Sequence, residues 1–364
     1  MPTIYSITLV HGLTPVKCAS GIDDLRPSRL ESARGVQVIN LEAQPLVSVV
    51  TPVYNMGSFL SECIESVLTQ SYKNVEYIIV NNCSTDHSLE VALSYAKRDP
   101  RVQVHSNERF VGVIENHNIA FSRISPAAKY CKVVSADDYI FQDCLMRMVE
   151  IAEANPSVGI VGSYQLSGSQ VRWQGFPYPK ALFSGYEICR KTFLGDDKAF
   201  GFGSPTSILY RADLVRNNEA FYPNPSPHSD TSACFKELRH SDFGFVYQVL
   251  SYERVHAGTQ SSASEEINRT VSANLNDLLE YGGFYLSKDE FDITLHKTLR
   301  RYYEYLAVNM IRFRGEQFWQ YHRSRLQELG FPITRSKLLR TLISKGLREL
   351  QNPGQAMRKI FHHS

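Results

Sequence analysis

The stretch VSVVTPVYN at residues 47–55 is a run of mostly β-branched residues that ends in polar ones, and it sets the pattern for the first half of the chain. The pattern recurs in YIIVNNCSTD at 77–86 and YCKVVSADD at 130–138, with a further strand RVQVHS at 101–106. Short apolar runs of this kind indicate buried strands. Apolar residues recur at helical spacing after each of the four strands. The alternation predicts an α/β fold with a mostly parallel central sheet and helices on both faces.

The polar residues after these strands predict a ligand site. Carboxyl ends of parallel strands meet at one edge of a sheet, where ligands bind in folds of this type, so we expect a nucleotide-binding unit. Asp137 and Asp138 stand directly after the fourth strand. Two adjacent carboxylates repel each other unless a cation lies between them and a substrate, and oxygen ligands around a diphosphate suit Mg²⁺ or Mn²⁺. On these residues alone, a solvated acidic turn remains the alternative.

The composition excludes several classes of protein. The chain has 364 residues and a formal net charge of +2, which is too small to suggest attraction to nucleic acid over the whole surface. Its seven cysteines stand singly, with no spacing that suits a zinc site, and reduced thiols in the cytosol fit this pattern. No apolar run approaches the roughly 18 residues of a membrane span, and the first residues lack a secretion signal. We expect a cytoplasmic protein.

The chain divides into three regions by pattern. Glycine and proline break every candidate element in residues 1–45, which we interpret as an N-terminal extension of unknown purpose. A catalytic domain is expected at 46–265, and after about Gly168 it loosens into loops and a few strands. Helical periodicity returns at about Ile293, which predicts a helical C-terminal region at 266–364.

Four blocks of sequence resemble the inverting family 2 glycosyltransferases of GT-A type in order and spacing. The blocks are VSVVTPVYN, QSYKNVEYIIVNNCSTD, VGVIENHN and the acidic pair. FGFGSPTSILYR at 200–211 looks like the family's acceptor-side segment, and ERVHAGTQSS at 253–262 like the segment in which a histidine approaches the metal and the diphosphate. The resemblance implies the GT-A nucleotide-diphospho-sugar transferase fold over about 46–265. It also implies metal-dependent, inverting transfer of a sugar from a nucleotide-diphosphate donor to an acceptor hydroxyl, in surface polysaccharide or glycan assembly.

Carried over to this chain, the resemblance implies a base pocket lined by Thr51, Pro52 and Tyr54, with the tyrosine ring against the base. Asn82 stands where the family usually has an aspartate that accepts a hydrogen bond from the base, and Asn81 departs from the family's acidic pattern as well. An amide oxygen still accepts that bond, but the amide nitrogen also donates. The identity of the base therefore stays open.

For the reacting end of the donor, the resemblance implies that Asp137 meets the ribose or the metal shell. It implies that Asp138 binds a divalent cation, Mn²⁺ or Mg²⁺, with His256 as a further ligand or as a donor to the diphosphate. Asp230, in PHSDTSACF, aligns with the family's general base, which takes the proton of the acceptor. Read as a residue type alone, Asp230 is equally a helix cap for TSACFKEL.

The block VGVIENHN contains a second departure from the family. His117 replaces a common arginine directly before Asn118, which removes a fixed positive charge. A place facing the base pocket and a purely structural role both remain open for these two residues.

Other functions and partners follow from the same residues. A non-catalytic sugar-nucleotide or glycan-binding homologue stays open because of Asn81 and Asn82. A nucleotidylyltransferase is the rival enzyme, although no glycine-rich phosphate loop precedes the acids. The acceptor is expected to be a glycan or a lipid-linked molecule. The basic amphipathic stretch RSKLLRTLISKGLREL at 335–350 predicts either peripheral contact with the inner face of the membrane or packing against the catalytic domain.

Overall fold

The structure is a computed structural model that describes residues 44–195, 201–223, 228–256, 267–312 and 314–351. Most of the N-terminal extension expected at residues 1–45 lies outside these ranges. A separate compact unit begins at Gln44, close to the predicted start of the catalytic domain.

Four parallel strands form the part of the sheet that the sequence predicted. They are β1 (Val47–Val53), β2 (Val75–Asn81), β3 (Val102–Ser106) and β4 (Tyr130–Val133). β1 pairs with both β2 and β4, and β2 pairs with β3. Val50 of β1 is buried on one face of the sheet and Val49 on the other. Burial on both faces explains why β1, β2 and β4 are largely apolar, whereas the partly exposed β3 is more polar.

The remaining described strands make the sheet mixed. They are β5 (Tyr139–Ile140), β6 (Val158–Ser167), β7 (Gln170–Arg172), β8 (Leu182–Phe183), β9 (Ile208–Arg211) and β10 (Asp242–Glu253). Among the described residues the order is β3-β2-β1-β4-β9-β6-β10-β5, with β7 beside β6 and β8 beside β10. β9 is antiparallel to both β4 and β6, while β10 is parallel to β6. The α/β fold class is confirmed, with the parallel pairing concentrated in the first four strands.

Helices cover both faces of the sheet. They are α1 (Gly57–Leu68), α2 (Ser88–Ala96), α3 (Val113–Phe121), α4 (Cys144–Ala154), α5 (Gly185–Leu194), α6 (Ala212–Arg216) and α7 (Ser229–Glu237). α1, α2 and α4 pack on one face, and α3, α5, α6 and α7 on the other. A short 3₁₀ turn, Pro205–Ser207, precedes β9.

The C-terminal helices build a further apolar core. They are α8 (Thr270–Tyr285), α9 (Lys288–Ile311), α10 (Glu316–Glu328) and α11 (Arg335–Gln351). The apolar stripe of α9 packs into this core together with Phe318 and Leu338; its residues are Leu295, Leu299, Tyr302, Leu306 and Met310. Tyr281 and Tyr285 of α8 instead join the core beneath the sheet, beside Phe235 of α7. α8 therefore connects the helical region to the sheet.

Two further predictions concern compartment. The six cysteines in the described ranges carry free thiols, while Cys18 lies outside those ranges. No described helix combines the length and apolar character that crossing a bilayer requires.

Candidate functional site

The loops after β1 and β2 are joined to each other at the carboxyl edge of the sheet. The Asp86 carboxylate accepts hydrogen bonds from the backbone nitrogens of Gly57 (2.9 Å) and Ser88 (3.0 Å). The Ser88 hydroxyl accepts from the backbone nitrogen of Met56 at 2.9 Å. One carboxylate therefore satisfies free donors at the start of both α1 and α2. The contact to α2 is local in the chain, whereas the contact to α1 depends on the pairing of the two strands.

An exposed aromatic pair stands beside these loops. Tyr54, directly after β1, is 43% exposed and Phe110 is 56% exposed. Their ring centroids are 4.8 Å apart and the ring planes are tilted by 59°. Pro52, near the end of β1, is half-buried. Sequence reasoning missed Phe110, because NERFVGV shows neither strand nor helix periodicity.

The Asn82 side chain is buried, and both its oxygen and its nitrogen form hydrogen bonds. Its oxygen accepts from the backbone nitrogen of Val111 and from the Asn107 amide, both at 3.0 Å, and its nitrogen donates to the Val111 carbonyl at 2.9 Å. Asn107 also donates to the side-chain oxygen of Asn116 at 2.9 Å. Asn82 therefore holds the segment that carries Phe110 in place. A contact between the Asn82 amide and a base stays a prediction, and it would require these bonds to be exchanged.

Thr51 forms its side-chain hydrogen bonds inside the protein, between neighbouring strands of the sheet. Its side chain is fully buried, and its hydroxyl donates to the Val134 carbonyl at 2.8 Å. The Tyr77 hydroxyl lies 2.9 Å from the Thr51 hydroxyl oxygen. The side chain thus connects the central strands, so any contact from Thr51 to a base would have to come from its main chain.

The two adjacent acids have different surroundings. Asp137 Oδ2 lies 3.2 Å from His256 Nε2. Asp138 is only 6% exposed, and its Oδ2 accepts from the Thr206 hydroxyl at 2.6 Å while its Oδ1 accepts from the backbone nitrogen of Arg254 at 3.0 Å. Asp137 is therefore paired with a potential metal ligand, whereas Asp138 anchors three chain segments.

The electrostatics of this cluster favour added positive charge. Burial, and next the charge of Asp137, raise the pKa of Asp138 to about 7. The hydrogen bonds from Thr206 and Arg254 oppose this rise by stabilising the carboxylate. Two neighbouring acids, one of them buried, are costly to ionise together unless a cation compensates them.

The donor set suits a cation that also binds a diphosphate. Within the described ranges, no group of three or more His, Cys, Asp or Glu side chains is arranged to hold a metal ion. Asp137 and His256 together offer a carboxylate oxygen and an imidazole nitrogen. Mg²⁺ in nucleotide sites usually takes one or two carboxylates and completes its shell with phosphate oxygens and water. Two protein ligands are therefore enough for a cation of this kind.

Arg254 is a further residue of the site that sequence reasoning missed. Its Nε donates to the backbone carbonyl of Asp137 at 2.9 Å, and its guanidinium is paired with the Glu62 carboxylate. The guanidinium also lies 4.8 Å from the Phe59 ring, and that ring is 4.8 Å from the His256 imidazole. The position of Arg254 two residues before His256 was the one available signal.

Asp230 and His117 form a second group of predicted residues. Asp230 lies in the first turn of α7, where His228 occupies the N-cap position and makes no side-chain cap. His117 Nδ1 is 2.9 Å from the Val113 carbonyl, and its ring stacks on Tyr222 with centroids 5.5 Å apart. Burial lowers the pKa of His117, and the negative charge of Asp230 opposes that shift. His117 therefore lies within electrostatic range of Asp230.

A buried contact joins α7 to the C-terminal helices. The Ser232 hydroxyl of α7 donates to Asp277 Oδ1 of α8 at 2.6 Å. Burial raises the pKa of Asp277 to about 7, and the charge of Asp230 acts in the same direction. The helical region therefore reaches the helix that carries Asp230.

One family model matches part of this chain, and several known proteins are similar to it. The model of the family described as glycosyl transferase family 2 matches residues 48–217. An uncharacterized glycosyltransferase of Haemophilus influenzae is 27% identical over 70% of this chain and 78% of its own length. The putative glycosyltransferase EpsH of Bacillus subtilis is 34% identical over 58% of this chain and 61% of its own length. For the uncharacterized glycosyltransferase EpsJ of the same species, 39% identical, the match spans 33% of that protein.

Comparison with solved structures confirms the GT-A fold. TarS of S. aureus, solved in complex with UDP-GlcNAc, has a TM-score of 0.52 and 18% identity over 71% of this chain and 72% of that one. The mannosyltransferase PcManGT of Pyrobaculum calidifontis, in complex with GDP-Man and Mn²⁺, has a TM-score of 0.53 and 16% identity over 87% of this chain and 84% of that one. At such low identity, the similarity concerns the fold.

Proposed function

We infer the reaction from the premise that this chain is a glycosyltransferase with a family 2 domain at residues 48–217. The enzyme would transfer a sugar from a nucleoside diphosphate to an acceptor hydroxyl, with inversion at the anomeric carbon. The observation that supports this best is the pairing of Asp137 with His256 beside the anchored Asp138. This cluster lies at the sheet edge where nucleotides bind in α/β folds.

We propose that the nucleobase binds at the aromatic pair. The exposed face of Tyr54 is available for stacking, and Phe110 adds a second apolar surface next to it. Asn82 then acts through the segment it holds rather than by reading the base with its own amide. Because that segment presents backbone groups, base preference would depend on how firmly Asn82 and Asn107 fix it.

The contacts favour a different division of labour within the acidic pair than the resemblance implied. Asp137 and His256 would hold the divalent cation, Mn²⁺ or Mg²⁺. Asp138 would instead join the segment after β4 to the 3₁₀ turn and to the residue that follows β10. The role of Asp137 toward the ribose stays compatible with this assignment. When bound, the cation neutralises charge on the diphosphate as it leaves.

Asp230 is proposed as the general base. The acceptor oxygen attacks the anomeric carbon as the bond to the diphosphate oxygen breaks, and the acceptor proton passes to the Asp230 carboxylate. His117 Nδ1 faces the Val113 carbonyl, an acceptor, so Nδ1 carries the imidazole hydrogen and the other ring nitrogen has a lone pair. A neutral imidazole near Asp230 adds no positive charge that would weaken the carboxylate as a base.

The acceptor and the location of the enzyme are proposed from α11. Leu338 of this helix is buried, whereas Leu339 is 52% exposed and Ile343 55% exposed, and Arg335 and Arg340 flank them. An apolar stripe between basic residues suits the surface of an anionic membrane. We propose peripheral contact with the inner face of the membrane and a glycan or lipid-linked acceptor, in surface polysaccharide or glycan assembly.

A panel of sugar nucleotides tests the proposed function. We expect release of nucleoside diphosphate from one donor, stimulated by Mn²⁺ or Mg²⁺ and lost in chelator. Release of pyrophosphate from a nucleoside triphosphate and a sugar phosphate would instead identify a nucleotidylyltransferase. Tight binding of a donor without turnover on any glycan or lipid-linked acceptor would favour the non-catalytic homologue.

A further inference from the structure

Lys132 is a charged residue inside the sheet that no part of the proposed mechanism uses. It lies in β4, three residues before Ser135, and its side chain is fully buried. Its Nζ donates to the Ile208 carbonyl at 2.9 Å and to the Thr206 carbonyl. The ammonium group thus bonds to the main chain on both sides of the junction between the 3₁₀ turn and β9.

The same turn supports the acidic pair. The Thr206 hydroxyl donates to Asp138 Oδ2 at 2.6 Å, and it accepts from the backbone nitrogen of Ser135 at 3.1 Å. Lys132 therefore fixes the main chain of the residue whose side chain holds Asp138. From Asp138 the connection continues to the backbone of Arg254, two residues before His256.

A buried ammonium is an expensive way to satisfy two carbonyl groups, because burial of a charge costs far more than burial of a neutral donor. Burial lowers the pKa of Lys132 to about 8, and the charge of Asp138 acts against that shift. Both buried groups bond to the same residue: Lys132 donates to the Thr206 carbonyl, and Asp138 accepts from the Thr206 hydroxyl.

We propose that Lys132 is a positioning residue for the cation site: through the 3₁₀ turn and Thr206 it fixes Asp138, and thereby presents Asp137 and His256 in the geometry that binds a divalent cation. This inference rests on the proposed function. A purely structural lysine would affect thermal stability without a specific effect on cation affinity.

The test compares Lys132→Met with Lys129→Met in the full-length protein. Lys129 lies at the start of the same segment, is half-exposed and pairs with Glu153, so the control makes the same substitution outside the site. Electron paramagnetic resonance would measure the affinity for Mn²⁺ in the presence of UDP or GDP, whichever binds the wild type more tightly. Uridine and guanosine, which lack phosphates, would report base binding separately.

We expect Lys132→Met to weaken Mn²⁺ binding by about 10- to 100-fold, the usual effect of losing a residue that orients metal ligands. Nucleoside binding and the Lys129→Met variant should match the wild type. A folded Lys132→Met protein with wild-type Mn²⁺ affinity overturns the inference and leaves the proposed function intact. No Mn²⁺ binding by the wild type would overturn both.

A second pair of variants covers the case in which Lys132→Met does not fold. Thr206→Val removes the hydroxyl that bonds Asp138, and Thr206→Ser keeps it. The valine variant should lose Mn²⁺ affinity to a similar extent and the serine variant should retain it. Equal affinities in the two Thr206 variants would contradict the connection on which the inference depends.

Discussion

Asn82 and Asn118 use the amide group in the same way. The Asn82 amide bonds both backbone groups of Val111, and the Asn118 amide donates to the Tyr222 carbonyl at 2.8 Å and accepts from its nitrogen at 2.9 Å. Each side-chain amide thus bonds the N–H and the C=O of one residue, as a backbone amide pair does between two strands. Such a contact needs a donor and an acceptor in one planar group, which an aspartate does not provide.

The first prediction at the residue scale is that Asn82→Asp destabilises the protein by about 1–3 kcal/mol, because the Val111 carbonyl loses its donor and faces a carboxylate instead. Chemical denaturation measures this loss. Asn118→Asp, which breaks the equivalent contact at Tyr222, should cost a similar amount. We expect nucleotide affinity to fall in the Asn82 variant alone, and a gain of uridine affinity there would show that residue 82 reads the base directly.

Asp230→Asn is the second prediction. The amide keeps the size of the side chain but does not take a proton, so turnover on a true acceptor should fall by about 100- to 10,000-fold with an unchanged donor dissociation constant. Single-turnover kinetics measure the fall in rate, and calorimetry measures the donor dissociation constant. Near-normal turnover of Asp230→Asn, combined with a loss of about 0.5–1 kcal/mol in Asp230→Ala, would instead fit a structural role, in which the carboxylate stabilises the first turn of α7.

Residue types and spacing pointed to the acidic pair and the family resemblance to His256, and both assignments stay predictions. Neither signal pointed to the side chains that contact these residues. Thr206 and Arg254 contact Asp138 from segments far away in the chain; both segments resemble segments of the family, but the resemblance gave neither residue a role. Lys132 reads as a polar interruption of a strand. Such contacts depend on which strands become neighbours, and β9 and β10 reach the acids only through the mixed half of the sheet.

At the scale of elements, short apolar runs predicted β1, β2 and β4 because each is buried on both faces, whereas β3 is partly exposed. The second half resisted prediction for a physical reason. β10 pairs with β6 through three register shifts, so its side chains do not alternate regularly between the two faces. β6 and β10 are also rich in glycine and aromatic residues, which weakens the contrast between apolar and polar positions.

The prediction at this scale concerns α11. Deleting residues from 334 onward, or replacing Leu339 and Ile343 with serine, should weaken binding to anionic liposomes at least severalfold while donor hydrolysis changes little. Sedimentation with liposomes of phosphatidylglycerol and of phosphatidylcholine measures the effect and its dependence on lipid charge. Serine at the buried Leu338 is the contrasting variant, because it should lower stability rather than membrane binding. Unchanged liposome binding after the deletion would assign α11 to packing.

At the scale of the whole molecule, the site draws on more of the chain than the family match covers. The match ends at residue 217, whereas Asp230, His256 and Asp277 lie beyond it. α8 bonds to the helix of Asp230, and β10 delivers His256 to the acids of the first half. The division into domains at 46–265 and 266–364 remains a prediction, and the Ser232–Asp277 contact shows that the helical region supports the helix that carries Asp230.

The central claim is that Asp137, with His256, holds a cation needed for sugar transfer while Asp138 anchors the site. Manganese affinity and melting temperature of Asp137→Asn and Asp138→Asn test it most directly. We predict that Asp137→Asn keeps its melting temperature but loses more than about tenfold in Mn²⁺ affinity and its donor turnover, whereas Asp138→Asn is destabilised by about 1–3 kcal/mol. Wild-type Mn²⁺ affinity and turnover in Asp137→Asn would contradict the account.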